Sequence, residues 1–325
     1  MVAGWGKGGE VMAISVGSAV GAGFNVIGRR PLSVIAWGFF SYFALFLLFG
    51  IGLAIVGLPV ITKLLSSGQA FTPEDAAQMA LVFLLALWPA LMIVVVGMLF
   101  VAAIVQGAVI RSILQPDQTS FASLRFGREE GALVLLFLVY IPVTMVAWLV
   151  SFLVIGAAVL LARQIHGFGG GFVAFLICVA YALALMWVLL RFSLAAPMTF
   201  AERRVRFFGS WELTRGNGWT LFGLAWLMVL VWIAVGFAYG IVSGVVNALS
   251  FGAALASVMA SVGAANVAQN PALLLAAWPT LALAYIPVLL LQAAFNGVTQ
   301  AIGQGPWADV YRQLKGSPDV AATFT

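Results

Sequence analysis

The chain has 325 residues, 64% of them hydrophobic and only 8% charged. A soluble domain carries about 25% charged residues, so this chain lacks the polar groups to cover a globular surface in water, and a soluble class is excluded. Its fifteen cations outnumber ten acids, giving a formal charge of +5, and its one cysteine, Cys178, permits no internal disulfide.

The first thirty residues form an arm. GWGKGGE at its start has glycines beside Lys7 but lacks the phosphate-loop spacing, and reads as a tail. Met12, Val16, Val20, Phe24 and Ile27 then make a stripe at helical spacing, which predicts a weakly amphipathic helix lying in the interface. Six long apolar stretches follow, at about 31–62, 77–112, 131–162, 171–200, 217–248 and 271–303. A bilayer core of roughly 30 Å needs about 20 helical residues, so each stretch is a spanning helix with length to spare for tilt or projection. Strict alternation of apolar and polar residues is missing, which excludes a barrel. Residues 304–325 are expected to form a last interfacial helix and tail. The first span starts too late and runs too long for a cleaved signal peptide.

Charge sets the topology. The arm, the second and fourth loops and the C-terminus hold Lys7, Arg29, Arg30, Arg111, Arg125, Arg128, Arg191, Arg203, Arg204, Arg206, Arg215, Arg312 and Lys315, whereas the other three loops hold only Lys63 and Arg163. Thirteen against two places both termini in the cytoplasm. Arginine-rich, alanine- and valine-rich composition suggests a bacterial source, hence an inner membrane. The uncharged loop at about 249–270 is open to three readings: loop, interfacial helix or re-entrant segment.

A pattern of aromatic, aliphatic and arginine recurs before each odd-numbered span and after the last one. It reads Phe24-Asn-Val-Ile27-Gly-Arg29, Phe121-Ala-Ser-Leu124-Arg125, Trp211-Glu-Leu213-Thr-Arg215 and Trp307-Ala-Asp-Val310-Tyr-Arg312. The expected fold is therefore an all-α integral membrane protein, one polytopic domain over 1–325. Its six transmembrane helices form three hairpin repeats, each preceded by a short cytoplasmic interfacial helix.

Inside the spans there is no Asp, Glu, Lys or His away from the ends, and His166 stands alone in a short loop. Ion-coupled carriers and intramembrane proteases depend on such groups, so neither an enzyme nor a bound metal or cofactor is expected. Amides are present. Gln106 and Gln292 each lie fifteen residues before a repeat aromatic, and Asn296 and Gln300 continue the second stripe. They serve either as interhelical hydrogen bonds or, with Arg191, as a polar cavity open to the cytoplasm (Gln106, Arg191, Gln292 and Asn296). Gly236, Gly240 and Gly244 give the fifth span a small-residue face for close packing, within the chain, in a homo-oligomer or against a partner in a complex. Pro89, Pro142, Pro279 and Pro287 are expected to kink their helices. Arg191 follows nineteen uncharged residues. It is either an end anchor that snorkels or a buried cation held by amides or by carbonyls freed near Pro197.

The block RFSLAAPMTFAERRVRFFGSWELTRGNGW (191–219), together with ISVGSAVGAGFNVIGRRPLSVIAW at the start, resembles an uncharacterised family of polytopic bacterial membrane proteins. That family is related to the membrane domain attached to some glycerophosphodiester phosphodiesterases. The resemblance implies a helical membrane domain and a loose link to glycerolipids. It carries over no catalytic residue, since the phosphodiesterase chemistry belongs to a separate soluble domain.

The resulting expectation is a non-enzymatic inner-membrane protein that organises, senses or handles phospholipid. Arg29, Arg30, Arg125, Arg128, Arg203, Arg204, Arg206 and Arg215 would meet anionic headgroups, at roughly 1 kcal/mol per basic residue. RRVRFF (203–208) is read the same way rather than as a nucleic-acid contact. The alternatives are a small-solute transporter or channel built on the polar cavity, and a membrane subunit of a larger complex.

Overall fold

The structure is a computed structural model that describes residues 14–67, 73–117, 122–165, 168–263 and 277–315. Among these residues every regular element is helical. Helix α1 is Val16–Arg29, followed by α2 (Pro31–Ser67), α3 (Pro73–Leu114), α4 (Arg128–Gln164) and α5 (Phe168–Phe192). Two short helices, α6 (Ala195–Glu202) and α7 (Gly209–Leu213), lead into α8 (Gly218–Asn247). A π-helical turn at Ala248–Gly252 joins α8 to α9 (Ala253–Val262), and α10 is Trp278–Lys315. Six of these segments are long and apolar enough to cross a membrane. The 37 residues of α2 extend about 55 Å at 1.5 Å per residue, well past a hydrocarbon core of about 30 Å.

Three boundaries differ from the sequence reading. The fourth apolar span runs to Glu202, but its helix breaks after Phe192, because Pro197 has no N–H to donate and its ring bars the carbonyl four residues back. The chain turns at Ser193–Leu194, where Ser193 N–H bonds Leu190 O at 3.3 Å, and restarts as α6. The segment at 249–262 is helix, continuous with α8 through the π turn, and Phe251 there meets Tyr285 of α10 edge-on at 5.8 Å. Residues 304–315 are no separate interfacial helix. They prolong α10 through Pro306, because Ala301, Ile302, Ala308 and Val310 are all buried there. Pro89, Pro142 and Pro287 lie inside unbroken helices, and Pro279 stands in the first turn of α10, where a missing N–H is tolerated.

The recurring aromatic–arginine pattern takes four local forms. It is the end of α1, a turn at 122–125, the helix α7 with the turn after it, and the end of α10; Phe121 lies outside the described residues. All four nonetheless gather at one end of the bundle. Arg30 Nη2 donates to Pro116 O at 2.6 Å, Trp37 Nε1 to Ala122 O at 2.6 Å, Ser15 N–H to Gln313 Oε1 at 2.7 Å, and Lys315 Nζ to Glu202 at 3.2 Å. The largest fully buried side chains sit here too: Trp37, Arg111, Phe200, Leu133, Leu194, Leu221 and Ile302 among them. Exposed apolar side chains such as Phe46, Met145, Phe152, Phe175 and Phe237 cover the span surfaces, as a lipid environment requires.

Helix α10 is the hub, packed on α1, α2, α3 and α8. Glycine makes this possible. A Cβ on Gly38 would overlap Ala293 O, one on Gly297 would overlap Val34 O, and one on Gly305 would sit 2.7 Å from Gly23. The spans thus touch backbone to backbone, which favours van der Waals packing in a solvent as apolar as the side chains. Gly236, Gly240 and Gly244 are exposed, and a Cβ on each meets no described atom within 4 Å. Close packing within the chain runs through α2, α10 and α1 rather than through that stripe, since a small-residue spacing marks a face but not its occupant. Gly297→Val is expected to destabilise the detergent-solubilised protein by about 3 kcal/mol or more, beyond ordinary overpacking of 1–3 kcal/mol. Gly240→Ala is expected to leave thermal unfolding unchanged; equal effects of the two would overturn this assignment of the packed face.

Candidate functional site

The charged end is built on Arg111. It stands in the last turn of α3, its side chain wholly buried, and pairs with Glu130 in the first turn of α4, equally buried. Arg111 Nη1 also donates to Ser123 O at 2.6 Å, and its guanidinium lies 5.3 Å from the Phe200 ring centroid on α6. Glu130 Oε2 accepts the Gly127 N–H at 2.8 Å, closing the start of α4, where a carboxylate also complements the helix dipole. Space for Glu130 comes from Gly107, one turn before Arg111: a Cβ there would lie 2.8 Å from Glu130 Oε1. Ala122 and Ser123 adopt left-handed backbone, φ 56° and 50°, a conformation costing an L-residue about 1–2 kcal/mol. That turn presents two successive carbonyls to buried donors, Ala122 O to Trp37 and Ser123 O to Arg111.

Around this pair the other charges fall into order. Arg203 donates to Glu129 Oε1 from Nη2 at 2.8 Å and from Nε at 3.0 Å. Glu202 takes Arg206 at 3.0 Å and Lys315 at 3.2 Å, fastening α6 to the end of α10. Asp309, 1% exposed, pairs with Arg312 and accepts Ser18 Oγ at 2.8 Å and Gln313 Nε2 at 2.7 Å, tying α1 to α10.

Between α1, the end of α3 and the end of α10 lies a cleft of about 340 Å³. Arg29, Arg30 and Arg312 line it with Ser18, Asn25, Ser112 and Asp309. Arg30 is held by Pro116 O at 2.6 Å and Arg312 by Ile113 O at 3.4 Å as well as by Asp309. Arg29 is exposed, and its side chain makes no hydrogen bond or ion pair with any described residue.

The four residues expected to line a polar cavity do not converge. Gln106 donates to Gln304 Oε1 at 2.7 Å, eight residues beyond Asn296 and so about 12 Å along α10. Gln292 accepts Tyr42 Oη at 3.4 Å, and Asn296 Oδ1 is buried without a described partner. The equal spacing of Gln106 and Gln292 from their aromatics does not put them at one level, because α3 and α10 pack with an offset. Arg191 is elsewhere again. Its Nη1 caps Thr214 O at 2.8 Å, its guanidinium sits 5.1 Å from the Trp187 ring and 5.6 Å from the Trp211 ring, and its carbonyl accepts Ser210 Oγ at 2.7 Å. Half-buried between two indoles, it fastens the end of α5 to α7 and neither snorkels freely nor meets the amides.

Of the arginines assigned to lipid contact, Arg203 and Arg206 are already paired with carboxylates, and Arg29 and Arg30 face the cleft. Arg125, Arg128, Arg204 and Arg215 are exposed. Sequence reasoning missed Glu130, Asp309 and the true setting of Arg111. The available signal was the rarity of acids: Glu129-Glu130 opens a span in a chain with only ten carboxylates. Among the described residues no cluster of His, Cys, Asp or Glu is placed to hold a metal ion.

Glu130→Gln is expected to destabilise the protein by about 3–5 kcal/mol, the cost of stranding a buried cation. The double change Arg111→Met with Glu130→Leu should recover part of that loss in thermal unfolding. A double variant less stable than either single one would contradict the isolated-pair account.

No protein-family model, curated protein or solved structure matches the chain.

Proposed function

We propose that this is a non-enzymatic membrane protein that binds and organises anionic phospholipid at its charged end, which faces the cytoplasm from a bacterial inner membrane. The observation that carries the reading is the segregation of cations. Arg163 closes α4 at its far end and Lys63 lies in the distal half of α2, while the other described arginines and lysines lie at the end built around Arg111. Arg128, Arg204 and Arg215 there are exposed and their side chains make no bond with a described residue, beside exposed Phe126, Phe208, Trp211 and Trp219. Cations next to interfacial aromatics suit the headgroup layer of a membrane, where each basic residue contributes roughly 1 kcal/mol with acidic lipid. The resemblance of residues 191–219 to a membrane domain linked with glycerophosphodiesters points the same way.

A transporting cavity is the weaker reading, since Gln106, Arg191 and Gln292 have separate partners and Asn296 Oδ1 meets none of them among the described residues. A role as a membrane subunit rests on the exposed glycine face of α8, which fits a second copy or another helix.

The test is lipid selection in nanodiscs of mixed phosphatidylglycerol and phosphatidylcholine. The protein is expected to retain phosphatidylglycerol preferentially in native mass spectrometry. Replacing Arg128, Arg204 and Arg215 together with glutamine should cut that preference at least roughly tenfold, from about 1 kcal/mol per residue. Indifference to lipid charge before and after the change would overturn the reading.

A further inference from the structure

We propose that the cleft between α1, the end of α3 and the end of α10 is a binding site for a single phosphate group bearing a small substituent, with Arg29 as its principal contact. This deepens the lipid reading where the phosphate belongs to a headgroup, and it stands without that reading where the phosphate is soluble.

The charge of the cleft is the first argument. Three guanidinium groups, Arg29, Arg30 and Arg312, line the cleft beside one carboxylate, Asp309, which pairs with Arg312, so Arg29 brings a positive charge that no described carboxylate answers. Asp309 is turned inward, with one oxygen on Ser18 and Gln313 and the other on Arg312. It positions Arg312 rather than presenting an anion to the cleft. Helix ends supply the second argument. The carbonyls of Ile113 and Pro116, which would repel an anion, are covered by Arg312 and Arg30. Those backbone bonds hold two guanidinium groups in place. Each guanidinium has five N–H donors in a planar fork, so donors remain after these bonds are made.

Arg29 then stands apart. It is the last residue of α1 and lines the cleft, and its side chain makes no bond with a described residue. A cation held beside two anchored ones repels them until an anion arrives. Arginine forks match phosphate oxygens in pairs, which is the strongest recognition such a site has available. Asn25 adds an amide to the lining. Size limits the ligand. About 340 Å³ lies at the lower end of the range of about 300–1,000 Å³ for small-ligand sites. A phosphate with a glycerol-sized substituent suits it, and a nucleotide does not.

Binding is measured on the full chain in two arms. In detergent micelles, sn-glycerol 3-phosphate and inorganic phosphate are titrated by calorimetry. In nanodiscs, retained phosphatidylglycerol is counted by native mass spectrometry. Arg29 is exposed, so Arg29→Gln and Arg29→Glu are expected to fold as the wild type, with unchanged thermal unfolding as the control. Arg29→Gln should weaken binding about tenfold, as loss of a charge-assisted hydrogen bond does, and Arg29→Glu should abolish it. Binding in the micelle arm identifies a soluble phosphate compound; binding in the nanodisc arm alone identifies a headgroup.

The proposal is overturned if the wild type binds in neither arm, or if both Arg29 variants bind as it does. Lipid preference lost on replacing Arg128, Arg204 and Arg215, yet untouched by Arg29→Glu, sinks the cleft and leaves the lipid reading standing. Micelle binding that needs Arg29, without any lipid preference, supports the cleft and removes the lipid reading.

Discussion

Arg111 joins four parts of the chain with one planar group: α3 that carries it, the turn at Ser123, the start of α4 through Glu130, and α6 through the face of Phe200. A fully buried ion pair has a large desolvation penalty to overcome, so the donors and acceptors around it must be placed well, and of the Arg111 nitrogens only Nε lacks a described partner. The surroundings show that constraint. Gly107 keeps its side of α3 empty for Glu130, and two residues accept left-handed backbone to turn their carbonyls inward. Gly127 gives its N–H to the same carboxylate. Once α3 and α4 are locked, Arg203 finds Glu129 beside Glu130, and α6 follows with Glu202 reaching to Lys315. The cleft depends on this lock, since Ser112 and Ile113 on its wall are the neighbours of Arg111 in sequence.

The hydrophobic pattern made the membrane class and six spans legible, because about twenty apolar residues in a row leave few other structures. The ends were less legible. Pro197 was visible as a possible source of freed carbonyls, yet the break it makes separates α5 from α6 and changes what Arg191 can reach. A cation after an apolar run looks the same in sequence whether it meets water, a headgroup or a carboxylate. Arg111 and Arg191 both read as end cations; one is wholly buried on an acid, the other is half-buried between indoles.

The small residues teach a related lesson. Gly236, Gly240 and Gly244 carry the recognisable spacing, but Gly38 and Gly297, far apart in sequence and without a motif, make the closest approach. Spacing along one helix reports a flat face; only the partner decides whether it is used. Gln106 and Gln292 show the same limit. Their registers match in the repeat, while the helices that carry them are offset, so Gln106 finds Gln304 instead.

The hub helix is also the last of the described helices in chain order. Ribosomes add about 5–20 residues each second, and 198 positions separate Gln106 from Gln304. On the order of 10–40 seconds therefore pass between the two halves of that hydrogen bond leaving the ribosome. During that time the first hairpin already lies in the membrane with the Gly38 groove and the Gln106 amide lacking the helix that fills them. Nascent chains of this protein thus carry an open seam along the first hairpin until α10 arrives.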